Sequence, residues 1–491
     1  MKDLIYKYNM IRNTDIVQIF AATNKLQDIT TSVKDSPAGD RVHTSAICPI
    51  VSINGINIDV PELLYVEISM NSFIPTIRVI FRDIDGAFES DNLITNDTVI
   101  SVYIAPYDLS ELLPIRCDFT VTISNVLQSV KTGKLEMKTL SISGILRISA
   151  FMKRKSCSIE GTSFDALAKI ISDYKLGFSS NIESTNDSQI WVNSYGKCQN
   201  FIESITRHSY IDDNSFLTSF IDWFYDFNFV EVNRIFTDKT SDKEMTVCQV
   251  QVPSSNAVEE NTMPTKQVPY CLTNNIEEDI WNNYIENYSV IMSNQNEEGY
   301  RKYVQYYDYD SNEFISEYVD PITSASSGEI PISKSRLDSD IDNENIREEN
   351  ISFTDYFISN VNLHSNYYYA DIQNAFNLKA CQGFGLKVTL LAYNPYITLY
   401  SSIDVKIYDY GTGTVSHKEN KDDETLSPSI MEDDREDGLN KDISVLNESL
   451  SGRYVITGIK IKYEQQSGIL KEELTLSRRE IKPSLIAMTT L

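Results

Sequence analysis

A two-residue period in hydrophobicity near the end of the chain constrains the fold more than any other feature. Apolar and polar residues alternate through 403–408, 454–463 and 473–478. Alternation of this kind is typical of antiparallel strands with one buried face. Because the apolar face has to be covered, such strands close into a barrel or pack on another sheet. The sequence therefore predicts a β-barrel domain at 361–491, entered by a helix over 367–378.

A second segment with the same period begins near residue 47. Asn54 and Gly55 stand between alternating strands, and this pair favours a two-residue hairpin because both turn positions need positive φ. Six or seven short strands follow within roughly 100 residues, which is the spacing of a sandwich or barrel. The sequence thus predicts a first β-barrel domain at 46–155.

The period changes to that of a helix between the two β segments. Phe164, Leu167 and Ile171 share one helix face behind a hydroxyl N-cap, and Leu176-Gly177 supplies a C-terminal stop. A second helix is predicted at 198–208. The stretch 214–233 is ambiguous, since 216–224 fits a helix and 228–232 fits a strand. Together these elements predict a small helical or α+β domain at 156–235.

The remaining segments carry weaker patterns. Residues 1–45 are predicted to form an N-terminal arm that docks on a neighbour. Residues 236–360 are predicted to form an irregular α+β domain with long loops, and the acidic stretch 419–442 is predicted to be a solvated loop inside the last domain. The predicted fold class is mostly β with α+β insertions.

Charge and cysteine usage exclude several classes of protein. A formal net charge of −27 argues against a surface that grips nucleic acid or an anionic membrane, because both need lysine and arginine. The seven cysteines are scattered without a Cys-x-x-Cys pair, so neither a zinc site nor a disulfide framework is indicated. No apolar run approaches the roughly 20 residues of a membrane span, and we expect no membrane partner.

No catalytic motif stands out. Acidic pairs such as Asp212-Asp213 and Asp422-Asp423 are expected by chance in so acidic a chain. His208, near a predicted helix end, is more simply a structural hydrogen-bonding group than a base or ligand. Residues 308–313 resemble the opening of a calcium loop but have Glu313 where glycine is required. We therefore predict no catalytic, cofactor-binding or metal-binding residues, and no enzyme.

Three stretches carry a resemblance to a known family. They are the helical insertion with its tryptophan, the helix that enters the last barrel, and the final strands ending in arginine: 161–167 with 176–178, 188–192 and 200–202; 366–370; and 394–397, 405–407, 451–456 and 474–478. In this order they resemble the baseplate hub proteins of contractile-tailed phages. The fold of that family recurs in the N-terminal part of type VI secretion spike proteins.

The resemblance implies two tail-tube-like barrels per chain and a homotrimer, which places six similar barrels around one axis. Such a ring joins the sixfold tail tube above to the threefold central spike below and contacts wedge and tape-measure proteins. Genome DNA passes through the lumen without specific binding, and no cofactor is implied. The expected location is the tail baseplate of the virion, assembled in the host cytoplasm.

Two other functions stay open at this point. One is a tail-associated cell-wall hydrolase, which would need two carboxyl groups across a cleft. The other is a receptor-binding or decoration protein on the baseplate rim.

Overall fold

The computed structural model describes a large part of the 491-residue chain. The described residues are 5–6, 49–84, 86, 88, 94–95, 97–104, 115–132, 135–237, 246–248, 285–292, 302–308, 312–319, 352–353, 363–382, 384–390, 397–406, 408–411, 443–446, 450, 452–466 and 468–478. Most of the predicted N-terminal arm, much of 236–360 and the acidic loop 419–442 lie outside these residues.

The described chain is mostly β. Its strands are β1 (Ile5–Tyr6), β2 (Ile50–Ile53), β3 (Ile56–Asn57), β4 (Leu63–Met70), β5 (Thr76–Asp83), β6 (Val99–Ile104), β7 (Ile115–Thr132), β8 (Leu135–Leu146), β9 (Cys157–Gly161), β10 (Gly177–Ser180), β11 (Gln189–Asn193), β12 (Leu217–Ile221), β13 (Asp226–Glu231), β14 (Thr246–Cys248), β15 (Ile285–Met292), β16 (Lys302–Asp308), β17 (Glu313–Val319), β18 (Ser352–Phe353), β19 (Phe384–Leu390), β20 (Ser402–Lys406), β21 (Tyr408–Gly411), β22 (Ile443–Leu446), β23 (Gly452–Glu464) and β24 (Ile469–Arg478). Its helices are α1 (Ser149–Met152), α2 (Ser163–Asp173), α3 (Cys198–Arg207), α4 (Val232–Thr237) and α5 (Tyr367–Ala380).

One large sheet unites the two ends of the chain. Among the described residues it has 13 strands, in the order β15-β19-β24-β23-β4-β5-β8-β7-β6-β2-β3, with β20 paired to β23 and β14 paired to β20. Every pair along the main path is antiparallel. The two alternating segments of the sequence thus meet in one sheet, through β23 and β4.

The large sheet contains the same five-stranded arrangement twice. In the first repeat, strands β4 to β8 lie in the order β4-β5-β8-β7-β6. In the second repeat, β15, β19, β20, β23 and β24 lie in the order β15-β19-β24-β23-β20. Taken in chain order, both repeats therefore place their strands as first, second, fifth, fourth, third.

The register repeats along with the order. In β7 a bulge lies between Val121 and Ile123, immediately after the stretch paired with β6. In β23 a bulge lies between Ile456 and Gly458, immediately after the stretch paired with β20. Because a bulge adds one unpaired residue and bends the strand, its recurrence at the equivalent place is a specific feature of the fold.

A second bulge repeats in the first strand of each repeat. The ladder between β4 and β5 shifts between Leu63 and Tyr65, and that between β15 and β19 shifts between Ile285 and Asn287. Following the ladders from strand to strand pairs Ile68 of the first repeat with Val290 of the second. On this alignment both bulges fall at the same position.

Equivalent positions bury equivalent side chains. Ile100 and Phe119 of the first repeat match Ile403 and Tyr454 of the second, and all four are almost fully buried. Val405 is 1% exposed, which confirms its predicted inward orientation. Alternation therefore predicted the buried face correctly at these positions, but not at Ile123, which alternates with Phe119 and Val121 and is 55% exposed.

The last residue of each fifth strand breaks this match. Leu146 of β8 aligns with Arg478 of β24, and both are 1% exposed. The guanidinium carbon of Arg478 lies 4.5 Å from the ring centre of Tyr454 and 4.9 Å from that of Phe384. Its cation is therefore held by two aromatic faces, which attract positive charge.

The region between the repeats confirms both predicted helices. Helix α2 begins at Ser163, and the hydroxyl of the N-cap Thr162 accepts from the backbone N–H of Asp165. Helix α3 spans Cys198–Arg207. The ambiguous stretch is a β hairpin, β12 and β13, so the helical alternative for 216–224 is wrong. Every residue of β12 is buried. A strand covered on both faces buries all of its side chains, whereas an amphipathic helix buries one face.

The predicted role of Gly177 as a helix stop needs correction. Lys175, with φ of 58°, takes the left-handed position after α2. A Cβ built on Gly177 would lie 1.8 Å from Oδ1 of Asp226 on the neighbouring strand β13. Gly177 is therefore required by the close approach of that side chain and not by the helix end.

The two described residues of the N-terminal arm pair with this region. Ile5 and Tyr6 form β1, which pairs antiparallel with β10 at the edge of the sheet β1-β10-β13-β12.

No helix of the described residues is long and apolar enough to cross a membrane. The division of the chain into domains stays a prediction.

Candidate assembly surface

The two repeats join edge to edge at β23 and β4. Beyond its bulge, β23 pairs on one side with β24 and on the other with β4, matching Ile461 with Ile68 and Ile459 with Met70. All four side chains are buried. Lys460 lies 3.6 Å from Glu67 across the same pair of strands. The junction is therefore a continuous ladder with an apolar row on its covered face.

An acidic group on β24 stabilises the outer side of this junction. The carboxylate of Glu473 lies 2.8 Å from the ammonium of Lys387 and 2.6 Å from that of Lys462. Burial acts to raise the pKa of Glu473, but the hydrogen bonds and charges of the two lysines together lower it. The carboxylate thus stays ionised and ties β19, β24 and β23 together.

The equivalent part of the first repeat is an exposed hairpin. Beyond its bulge β7 continues with β8 as a hairpin, and residues 122–130 are all exposed. Ile123, Val126 and Leu127 have exposed fractions of 55%, 52% and 53%. In the part of the chain that the structure describes, strand β6 ends its pairing with β7 at Thr120, and no other strand covers that edge further along. Apolar residues on an open strand edge mark a surface that pairs with another strand.

Strand β15 ends the sheet at its other side. Among the described residues its single partner is β19, so its second edge is open. Ser289 and Val290 are exposed, Val290 by 42%. The described sheet therefore has one open edge at β15 and a second along residues 122–130 of β7.

Helix α5 attaches the second repeat to the region between the repeats. Oδ1 of Asn374 accepts from the backbone N–H of Leu217 at 2.9 Å, and its Nδ2 donates to the carbonyl oxygens of Arg207 and Ser209 at 2.9 Å each. Nε2 of Gln373 donates to the carbonyl oxygen of Asp213 at 2.7 Å. These amides fix α5 against the C-terminal end of α3, whose last carbonyls need donors.

Two histidines lie beside this contact. Nδ1 of His208 is 2.7 Å from the carbonyl oxygen of Ser204, and Nε2 of His364 is 2.9 Å from the carbonyl oxygen of His208. The imidazole of His208 stacks on Tyr367 with ring centres 3.8 Å apart. Burial lowers the pKa of both imidazoles below the usual 6.5. His208 is thus a hydrogen-bonding group at a helix end, as the sequence predicted.

One buried carboxyl group has a strongly shifted pKa. Glu231 is 1% exposed and accepts from the backbone N–H groups of Asn233 and Arg234 at 3.0 and 2.8 Å. Burial raises its pKa to about 7, although these hydrogen bonds and the charge of Arg234 act in the opposite direction. Its contacts close the turn between β13 and α4, which is a structural role.

The acidic pair noted in the sequence is also structural. Asp212 accepts from the backbone N–H of Asn214 and the hydroxyl of Ser215, and Asp213 accepts from the hydroxyl of Tyr210. Within the described residues no group of three or more histidine, cysteine or acidic side chains could hold a metal ion. Asp422 and Asp423 lie outside the described residues.

Sequence reasoning missed the open edges at Val126 and Val290. A signal was present: the apolar residues at 121, 123, 126, 127 and 130 do not keep a period of two. The bulge after Val121 and a further one between Val126 and Gln128 account for the broken period. Such a break marks the place where a strand leaves its buried face.

Comparison with known proteins gives likeness of structure only. No family model and no curated protein matches the chain. A tail protein from Neisseria meningitidis MC58 is similar over 88% of this chain and 97% of its own, with a TM-score of 0.42 and 10% identity. A 43 kDa tail protein of prophage MuSo2 from Shewanella oneidensis has a TM-score of 0.43 and 7% identity over 88% of this chain and 96% of its own.

A third similar structure is an E. coli protein described as a component of the type VI secretion system with structural similarity to T4 bacteriophage tail proteins. It has a TM-score of 0.38 and 11% identity, over 89% of this chain and 80% of its own.

Proposed function

We propose that this chain is the structural baseplate hub of a contractile phage tail. Three copies form a ring that joins the sixfold tail tube to the threefold central spike and lets the genome pass. In this proposal each repeat completes one tail-tube-like β-barrel, and the chain performs no catalysis.

The observation that carries the proposal is the internal repeat. One chain holds two five-stranded units with the same strand order and with two bulges at equivalent positions, joined edge to edge through β23 and β4. A chain with two equivalent units presents six such units when three copies assemble around an axis. This arrangement bridges a mismatch between threefold and sixfold neighbours.

Charge supports the passage of DNA. The formal net charge of −27 gives a ring of three copies a strongly negative surface, and carboxylates lining a lumen repel the phosphate backbone. The proposed partners are the tail tube protein above, the spike protein below, and wedge and tape-measure proteins at the side. The proposed location is the tail baseplate of the virion, after assembly in the host cytoplasm.

The native mass of the purified chain, alone and mixed with a candidate spike protein, tests the proposal. A trimer that binds one spike trimer is expected, and electron microscopy of that complex should show a ring with six similar lobes. A chain that stays monomeric both alone and with the spike protein would contradict the proposal.

The same preparation separates the other functions. Clearing of peptidoglycan by the purified chain would favour a tail-associated cell-wall hydrolase. Binding of the isolated chain to host cells would favour a receptor-binding protein of the baseplate rim.

A further inference from the structure

We propose that the exposed edge of β7 pairs with the open edge of β15 in a second copy of this chain, antiparallel, with Val126 opposite the neighbour's Val290. This inference rests on the proposed function, since it names the contact that closes the ring. It assigns a partner and a register to two edges that the described chain leaves open.

The register follows from the internal repeat. In the junction within the chain, β23 pairs with β4, which is the first strand of the other repeat. The equivalent of β23 in the first repeat is β7, and the equivalent of β4 in the second repeat is β15. Each of these equivalents lacks the corresponding partner among the described residues. If the two repeats occupy equivalent places in the ring, β7 of one copy pairs with β15 of the next copy in the way that β23 pairs with β4 within the chain.

Single residue pairs can be assigned by following the ladders. Ile461 pairs with Ile68 inside the chain, and both are buried. The partner of Ile461 on β24 is Glu472, which aligns with Leu140 on β8, and the partner of Leu140 is Val126. Ile68 aligns with Val290. Val126 therefore takes the place of Ile461, and Val290 that of Ile68.

Exposure agrees with the assignment. Val126 and Val290 are 52% and 42% exposed, although their partners within the chain, Leu140 and Leu386, are 3% and 0% exposed. Pairing the two edges extends a buried row from Leu140 through both valines to Leu386 of the next copy. Cross-strand apolar pairs of this kind stabilise a sheet, and the open edges that favour aggregation disappear.

The contact also closes the ring. Each chain offers one β7 edge and one β15 edge, so the interface is head-to-tail and repeats around an axis. Junctions within chains then alternate with junctions between chains. A trimer has three of each and leaves neither edge open.

Cross-linking between two chains that each carry one added cysteine tests the register. Val126→Cys and Val290→Cys chains, with different affinity tags, are co-expressed and oxidised in the assembled state. A disulfide between the two kinds of chain is expected, because opposed residues of antiparallel strands approach closely enough for one. Each variant expressed alone, and the wild type with its native cysteines, are the controls and should give no such band.

Charge substitution tests the energy of the contact. Val126→Asp and Val290→Asp should each raise the dissociation constant of the trimer by at least about tenfold, because an unpaired charge would be buried. Val126→Lys combined with Val290→Asp should restore assembly. Val192→Asp is the matched control, since Val192 is 51% exposed on β11 and away from both edges.

The outcomes separate this inference from the proposed function. A trimer that tolerates both aspartates and gives no cross-link overturns the strand pairing while the hub function stands. A wild-type chain that forms no trimer with or without the spike protein overturns both. Loss of the trimer in both aspartate variants, its return in the Lys/Asp pair, and the cross-link together support the pairing. All variants should keep the circular dichroism spectrum of the wild type, because both valines are exposed in the single chain and the change affects assembly and not the fold of one copy.

Discussion

Nε of Arg207 donates to Oδ1 of Asp371 at 2.8 Å, and Nη2 of the same guanidinium donates to Oδ2 at 3.1 Å. The two residues are 164 positions apart, one at the end of α3 and the other in the first turns of α5. The Arg207 side chain is 62% exposed, whereas that of Asp371 is 6% exposed. The ion pair is therefore the solvent-facing part of a contact whose buried part is made by amides.

The amide of Asn374 is expected to stabilise this contact more than the ion pair does. Asn374→Ala leaves the N–H of Leu217 and two carbonyl groups without their partner, which costs about 1–3 kcal/mol for a buried group left unsatisfied. Arg207→Ala removes an exposed partner and should cost about 1 kcal/mol or less. Urea unfolding of both variants beside wild type makes the comparison. Equal loss of stability in the two variants would contradict the argument.

Helix α5 shows how far the sequence could go. Its position was predicted at 367–378 and observed at Tyr367–Ala380, because alanines and a few apolar residues stand at helical spacing. Its contacts were not predictable, since Gln373 and Asn374 are ordinary polar residues until Leu217 and Asp213 are known to lie beside them. Local patterns specify elements, whereas contacts across 160 residues depend on the whole fold.

Gly177→Ala is expected to destabilise the protein by at least about 2–3 kcal/mol, because overpacking a buried site forces side chains and backbone apart. The new Cβ would lie 1.8 Å from Oδ1 of Asp226, which is 1% exposed and has little room to move. Gly86→Ala is the matched control. That glycine has φ of 66° with nothing within 4 Å of a built Cβ, so only the backbone cost of about 1–2 kcal/mol applies.

Thermal unfolding of the two alanine variants measures this difference. A Gly177→Ala protein that melts no lower than the Gly86→Ala protein would show that β10 and β13 can separate freely at this position.

The strand assignments show the other limit of sequence patterns. Alternation identified β4, β6, β20 and β23, and with them the buried faces of both repeats. It could not show that the repeats share one sheet, because pairing of β23 with β4 joins residues almost 400 positions apart. It also could not show which edges are open, because alternation distinguishes the two faces of a strand but not its neighbours.

The contact between α5 and α3 is expected to weaken as the pH falls below about 6.5. Burial lowers the pKa of both His208 and His364. This effect exceeds that of the charges of Asp371 and Asp187, which raise the pKa of His208 and His364 respectively. The charge of Arg207 lowers the pKa of His208 further. Both imidazoles then bind protons less tightly in the closed form than in an open one. The stability that they contribute is full above the usual 6.5 and is lost as the pH falls.

Hydrogen exchange of residues 367–380, corrected for the intrinsic effect of pH, measures this opening. We expect faster exchange at pH 5 than at pH 7.5, and no such change in the His208→Asn, His364→Gln double variant, whose amides keep the two donors. His43→Gln with His417→Gln is the control and should behave as wild type. A step that persists in the first double variant would place the titrating group elsewhere.

Glu231 should make the protein more stable as the pH falls from about 7 towards 4.5, the opposite of the histidines. Its pKa is raised from 4.5 to about 7 by burial, so the folded protein binds this proton more tightly than the unfolded chain. The contribution is full below 4.5 and is lost as the pH rises through 7, by about 2–4 kcal/mol in all. Glu231→Gln removes this contribution, and subtracting the free energy of unfolding of the variant from that of the wild type at each pH cancels the contribution of the histidines.

Glu473→Gln is the matched control. Because the pKa of Glu473 is lowered, the difference in free energy of unfolding between this variant and the wild type should be flat between pH 5 and 8 and should change only as the pH falls below 4.5. A Glu231→Gln difference that is equally flat between pH 5 and 8 would mean that water or motion relieves the burial of this carboxylate.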